Sequence, residues 1–225
     1  MFIKFFQRLR HKMMAKQLRK PQGRLGSKVG NMMNKANSFL YDFTLDLVKP
    51  ANKESILEIG FGNGKFFDKI FARAAGLKIT GLDYSLAMLD AAKENNKKAV
   101  ASGDLSLLLG SSDKLSFADN SFDQIFCINV IYFWDHPLQH LKEIKRVLKP
   151  GGRFYATVRT RESMLKMPFT KYGFSFYDTD KWKTYIDSTN LLYINEYPTN
   201  EPVVELDGKK FMVQSLCVIA EKKHS

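Results

Sequence analysis

Apolar residues recur along this chain with two different periods. Over residues 2–19, Phe2, Phe5, Phe6, Leu9 and Met13 fall within about a third of a helical wheel. Lys4, Arg8, Lys12, Lys16 and Arg19 fall mostly opposite. This pattern predicts an amphipathic helix, ended at Pro21 because the residue before a proline avoids the helical region. The segment PQGRLGSKVG, with Gly23, Gly26 and Gly30, then reads as a flexible or tightly turned connector. Val29, Met32, Met33, Ala36, Phe39, Leu40, Phe43 and Leu47 return at three- and four-residue spacing, predicting a second helix that ends near Pro50.

From residue 54 the period changes. Short apolar runs without polar alternation lie at Ser55–Gly60, Leu77–Tyr84, Leu105–Gly110, Phe122–Asn129 and Arg153–Val158, with helical stretches at Gly64–Ala75, Ser85–Val100 and Pro137–Leu148. Strands of that kind are buried on both faces, as in a parallel sheet covered by helices. A helix over Thr179–Asn190 precedes two more strand-like runs, Leu191–Pro198 and Phe211–Glu221, with Asp207-Gly208 as a turn signal between them. The expected fold is therefore α/β, a mostly parallel seven-stranded sheet with a C-terminal antiparallel hairpin and helices on both faces. Residues 1–50 are expected to form a basic helical arm or lid, and residues 51–225 the sheet domain.

Composition is ordinary for a globular chain, with 44% hydrophobic and 26% charged residues, but the net charge of +12 is not. Ten of the 35 basic residues precede Asp42, the first acid. The remaining 184 residues carry 25 basic and 23 acidic groups, so the charge belongs to the arm. A nearly neutral body argues against a general nucleic-acid-binding face, and no nucleic-acid partner is expected. No apolar run is long enough to span a bilayer, and the opening residues lack the core of a secretory signal. Cys127 and Cys217 are far apart and form no C-x-x-C pair, so neither a zinc site nor a disulfide framework is expected. A reducing cytoplasm fits this cysteine usage. The amphipathic, cationic helix at 2–19 adds an alternative, peripheral contact with the inner membrane surface.

The sharpest chemical signal is Glu58-Ile59-Gly60-Phe61-Gly62-Asn63-Gly64, a buried strand running into three alternate glycines. Glycines there permit a sharp turn and let a ligand lie against bare backbone. Asp83 ends the next strand, placed to accept both hydroxyls of a ribose. A dinucleotide site would need G-x-G-x-x-G, and here Lys65 stands where its last glycine would be. Glu58, two residues before the first glycine, disfavours a phosphate and suits a cation such as a sulfonium or an amino group.

These residues resemble the first motif and ribose acid of class I S-adenosylmethionine-dependent methyltransferases. Ser121-Phe122-Asp123-Gln124-Ile125 with Cys127-Ile128-Asn129-Val130 resembles the family's fourth-strand motif, and LKEIKRVLKPGG from Leu141 to Gly152 its turn before strand five. The resemblance spans about residues 54–160 and is nearest the small-molecule branch that includes quinone-biosynthesis enzymes. It implies a Rossmann-like fold, an S-adenosylmethionine cofactor and an S-adenosylhomocysteine product. By the same resemblance, Glu58, Gly60, Phe61, Gly62, Asn63 and Gly64 hold the methionine part, Asp83 the ribose, and Tyr84 lies beside the adenine. The family often has Gly-Asp-Ala after strand three. This chain has Gly110-Ser111-Ser112-Asp113, so Ser111 and Ser112 are weaker candidates for the adenine contact. Asn129 and Val130 fall at the cofactor's carboxylate and methyl end.

Tyr132, Trp134, Arg159 and Tyr172 are candidates for the acceptor side, since α/β sheets bind ligands beyond their strand ends. The expected activity is in-line methyl transfer to a small molecule. One alternative is a lipid or quinone-like acceptor at a membrane surface, and another is a non-catalytic binding module. The cofactor carries the reactivity in such a transfer, so no dedicated catalytic residue is named.

Overall fold

The computed structural model describes residues 2–206 and 208–224. Helices α1 (Phe2–Arg19) and α2 (Gly23–Val48) open the chain. Strands β1 (Ser55–Ile59), β2 (Lys78–Asp83), β3 (Leu105–Leu109), β4 (Phe122–Ile128) and β5 (Leu148–Arg159) follow. Between and after them run α3 (Phe67–Phe71), α4 (Leu86–Asn95), α5 (Lys97–Ala101), α6 (Pro137–Val147), α7 (Arg161–Leu165) and α8 (Thr179–Ser188). The chain ends with β6 (Leu191–Asn200), a small hairpin of β7 (Val204–Leu206) and β8 (Lys209–Phe211), and β9 (Gln214–Lys222).

Seven strands form one sheet in the order β3-β2-β1-β4-β5-β9-β6. β1 runs parallel to β2, with Ser55 opposite Lys78, and parallel to β4, with Ile56 opposite Gln124. β9 enters antiparallel between β5 and β6. Side chains alternate across a strand, so each central strand feeds two cores. Leu57, Ile59, Ile125 and Cys127 pack beneath α6 and α8, among Leu141, Ile144, Trp182 and Ile186. Ile56, Phe126 and Ile128 pack on the other face with Leu40, Leu45 and Val48 of α2 and with Phe67, Ile70 and Leu89. Thr44 of α2 exchanges a buried 2.7 Å hydrogen bond with Thr157 of β5, contributing about 1 kcal/mol. The strand order reverses at β1 and β4, and that switch point opens a crevice above their C-terminal ends.

The expected parallel sheet and antiparallel closure are present, but three local expectations need correction. The glycine-rich connector over 21–30 is short, because α2 already begins at Gly23. Gly26 serves close approach, not bending: a Cβ there would sit 3.1 Å from the Pro21 carbonyl carbon, whereas one on Gly30 would make ordinary contact with Met88 Cε at 3.4 Å. The helix expected over 64–75 shrinks to Phe67–Phe71, since Gly64 has φ +69° and cannot begin it. The hairpin of β7 and β8 lies before the last strand, so Phe211 belongs to β8 and the sheet resumes at Gln214. Asp207 of the expected turn lies outside the described residues.

Candidate active site

The crevice begins with the loop after β1. Gly60 N–H donates to the Leu82 carbonyl at 2.7 Å, tying the loop to β2. Gly60, Gly62 and Gly64 all have positive φ, at +79°, +60° and +69°. A Cβ on Gly60 would lie 2.4 Å from Val130 Cγ2, and one on Gly64 2.7 Å from Asn96 Nδ2. A Cβ on Gly62 would meet nothing within 4 Å, so bare backbone faces open space there. Gly62 N–H donates to Asp83 Oδ2 at 2.9 Å, and Ser85 N–H to Oδ1 at 2.9 Å. Each Asp83 oxygen thus has one amide donor and keeps capacity for another partner. Burial pushes this carboxyl up to about 6, against the pull of the two amides.

Glu58 lies inside the sheet at the base of the crevice. The Tyr41 hydroxyl of α2 donates to its Oε1, and the Tyr41 ring stacks on Phe66 at 4.0 Å. Burial pushes Glu58 up to about 8 and raises the Tyr41 phenol well above its usual value. Asp83 adds to the upward push on Glu58, because two neighbouring carboxylates resist ionising together. Asn63 Oδ1 is buried without a hydrogen-bond partner. An orphaned acceptor in a crevice wants a donor from a ligand.

Tyr41, Gly60, Phe61, Gly62, Asn63 and Asp83 line a cavity of about 320 Å³ together with Tyr84, Asn129, Val130, Ser111, Ser112 and Trp134, whereas Glu58 and Gly64 are not among its walls. Tyr84 has the Lys20 ammonium 5.4 Å from its ring centre. Ser111 is exposed, whereas buried Ser112 bonds His140 Nδ1 at 2.7 Å. His140 stacks flat on Trp134 at 4.4 Å, and burial lowers its pKa to about 4. The cavity roof comes from the start of the chain. Arg19 pairs with Asp135 at 2.6 Å, and Ser85 Oγ donates to the Pro21 carbonyl at 2.6 Å.

A second cavity of about 430 Å³ adjoins the first, sharing Leu18, Met33, Asn37, Asn129 and Phe133 with it. Its character is different, with Met14, Met32, Met164, Met167, Phe169 and Phe174 among its walls. Asn129, at φ +57°, stands between the two and donates through Nδ2 to Asn37 Oδ1 at 3.0 Å. The Tyr132 hydroxyl lies 3.1 Å from Asn129 Oδ1 and 2.9 Å from the Arg159 carbonyl, with one proton to donate to either. Arg159 lines this cavity too, but its charge is already paired with buried Glu201 at 2.8 Å. Tyr172 lines neither cavity.

Of the residues picked out by sequence, Gly60, Phe61, Gly62, Asn63, Asp83, Tyr84, Ser111, Ser112, Asn129 and Val130 converge on the first cavity, while Gly64 does not line it and Glu58 reaches it only through its bond to Tyr41. Tyr132 and Arg159 fall on the second, and Trp134 on the first. Sequence reasoning missed Asn34, Asn37 and Tyr41, which all line the first cavity from α2. Their spacing of three and four residues draws a polar line beside an apolar helix face, and that signal was readable. His140 was missed as well, although it shares the buried stripe of Leu141, Ile144 and Val147.

Comparison with known proteins now decides the family. A methyltransferase-domain model matches residues 57–156. The uncharacterised methyltransferase YdaC of Bacillus subtilis is 30% identical over 135 residues, covering 60% of this chain and 72% of YdaC. The chain belongs to the class I S-adenosylmethionine-dependent methyltransferases. The ubiquinone/menaquinone biosynthesis C-methyltransferase UbiE of Geotalea daltonii is 33% identical over 129 residues, 55% of either chain. This methyltransferase therefore spans only about half the length of several relatives it matches. Among solved structures, a chain from the complex of the Haloferax volcanii Trm112 methyltransferase activator with a methyltransferase superposes with a TM-score of 0.75. It is 19% identical and covers 87% of this chain and 94% of its own, a likeness of fold.

The first cavity fits S-adenosylmethionine. Bare backbone at Gly62, an unpaired acceptor on Asn63 and the Asp83 carboxyl in the wall match a ligand with a diol and an ammonium, while Glu58 stands outside the wall, bonded to Tyr41. Among the described residues no cluster of metal-binding side chains occurs, and no helix is long and apolar enough to cross a membrane.

Proposed function

We propose that this methyltransferase binds its donor in the first cavity and a small, largely apolar acceptor in the second. The observation that carries the reading is the shared wall at Asn129, Asn37 and Phe133, where two cavities of opposite character meet. A protein that only bound the donor would have no use for the second cavity. When bound, the donor supplies an electrophilic methyl carbon on a sulfonium. The chain's own part is placement. Asp83 takes the ribose hydroxyls, the Gly60–Gly64 backbone and Asn63 take the methionine part, and Glu58 offsets the positive charge. Tyr84 flanks the adenine, with Ser111 and Ser112 at its edge. Asn129 and Val130 aim the methyl group at the shared wall. The methionine and phenylalanine walls beyond it exclude water and hold an apolar acceptor in line, and alignment of that kind supplies about 7–11 kcal/mol of a barrier.

In this reading residues 1–50 act as a lid over the domain formed by 51–225. The Arg19–Asp135 pair and the Ser85–Pro21 bond support it, since both join the arm to the crevice rim. The test is a screen of acceptors graded by polarity, with radiolabelled S-adenosylmethionine. Label is expected in apolar acceptors. Label in polar acceptors alone would refute the assignment of the second cavity.

A further inference from the structure

The first helix is built the wrong way round for a helix that only packs. An apolar stripe on an amphipathic helix normally turns to the core. In α1 the stripe turns outward: Phe5 is 62% exposed, Phe6 63%, Leu9 45% and Met13 51%. Phe5 and Phe6 touch edge to face at 5.9 Å, forming one patch. The face turned to the body is instead His11, Met14, Ala15 and Leu18. Arg8, Lys12 and Lys16 are exposed as well, Arg8 and Lys12 along one edge of the outward stripe and Lys16 within it, nearer to it than the sequence pattern suggested. No acidic residue occurs before Asp42.

We propose that α1 is a docking helix for an anionic lipid bilayer. A stripe of phenylalanine, leucine and methionine bordered by cations is the composition of a helix lying in a bilayer interface. Its aromatic and aliphatic side chains enter the acyl boundary while arginine and lysine meet lipid phosphates. Charge selects this occupant over a second copy of the chain. Two such arms face to face would bring together cations with no carboxylate between them. The geometry adds a reason for the placement. His11, Met14 and Leu18, on the opposite side of the same helix, line the apolar second cavity, so bilayer and cavity would lie on two faces of one element. The docking surface stands apart from the acceptor assignment, because lipid binding can be read without methyl transfer.

The test is sedimentation of the full chain with phosphatidylcholine vesicles, with and without phosphatidylglycerol. Binding is expected only with phosphatidylglycerol and is expected to fall as salt rises. A variant carrying Phe5→Ser, Phe6→Ser and Leu9→Ser removes only exposed side chains. It is expected to bind about tenfold more weakly or worse, with thermal unfolding and S-adenosylmethionine affinity unchanged. Lys12→Glu with Lys16→Glu is expected to weaken binding to the anionic vesicles while leaving the fold intact. Three results would each overturn the proposal: no sedimentation with anionic vesicles, undiminished binding by the triple variant, or self-association removed by that variant with no vesicle binding.

Discussion

The two adjoining cavities are made by opposite means. The first is shaped by backbone: three glycines in left-handed conformation, amides fixed on Asp83, and a carboxylate and a phenol buried together. The second is shaped by side chains, mostly flexible thioethers and phenyl rings drawn from α1, α2, the turn after β4 and the segment following β5. Backbone geometry admits one ligand and tolerates little change. Methionine walls adapt to what fills them. The difference teaches that, on the proposed assignment, the donor site is the fixed part of this fold and the acceptor site the adaptable one.

That contrast is open to test, beginning where the strongest effect is expected. Gly60→Ala would place a Cβ 2.4 Å from Val130 Cγ2 at φ +79°. It is expected to destabilise the protein by about 3 kcal/mol, read from its denaturant midpoint. Asp83→Ala removes the ribose acceptor and the anchor of the Gly62 amide. Calorimetry is expected to show donor affinity falling about a hundredfold. Unchanged affinity would undo the assignment of the first cavity.

The Tyr41–Glu58 pair predicts a pH dependence. Glu58 in the folded protein titrates near 8, above its ordinary 4.5. A carboxyl raised in this way stabilises the ligand-free fold fully below about 4.5, and that contribution is lost as pH rises through about 8. A cationic donor favours the ionised carboxylate, so donor affinity is expected to rise from pH 6 to 8 and then level off. In Glu58→Gln the rise should be confined to the region near pH 6, where Asp83 titrates. An identical profile in wild type and variant would rule the carboxylate out as the donor's counter-charge.

On the side-chain-built cavity the effects are smaller. Phe169→Ser is expected to raise the acceptor KM about tenfold with donor affinity unchanged. At the arm, Gly30→Ala exchanges a helical glycine for alanine against the flexible end of Met88, 3.4 Å away. Stability is expected to rise by about 0.5 kcal/mol, seen as a slightly higher Tm.

The same division explains what the sequence disclosed. The first cavity was legible because its parts are consecutive: Gly60 to Asn63 follow one strand and Asp83 ends the next. The sheet was legible because buried parallel strands read as unbroken apolar runs. Tyr41 was hidden, since only the packing of α2 on the sheet brings it to Glu58, seventeen residues on. The acceptor cavity was hidden for the same reason, joining residues as distant as Arg10 and Glu205. Arg159 read as a candidate for the acceptor side, and only the fold supplies Glu201, forty-two residues later, to pair with it. Gly26 read as part of a flexible or tightly turned connector, because sequence cannot separate a glycine that bends from one that lets neighbours close in.

The two cysteines have a use that concerns neither cavity. Cys127 in β4 and Cys217 in β9 flank β5, both free and both fully enclosed by the sheet. Burial pushes the Cys217 thiol up to about 12 and that of Cys127 well above its ordinary value. Almost no thiolate therefore exists in the native protein, and alkylating reagents meet nothing to attack. Fraying of α1 or parting of α1 from α2 leaves both sulfurs sealed. Cys127 lies under the helices of the opposite face, but Cys217 shares a core with Leu40, Leu45 and Val48 of α2, so its labelling reports α2 lifting from the sheet as well as global unfolding, and both thiols are silent to movements of α1 alone.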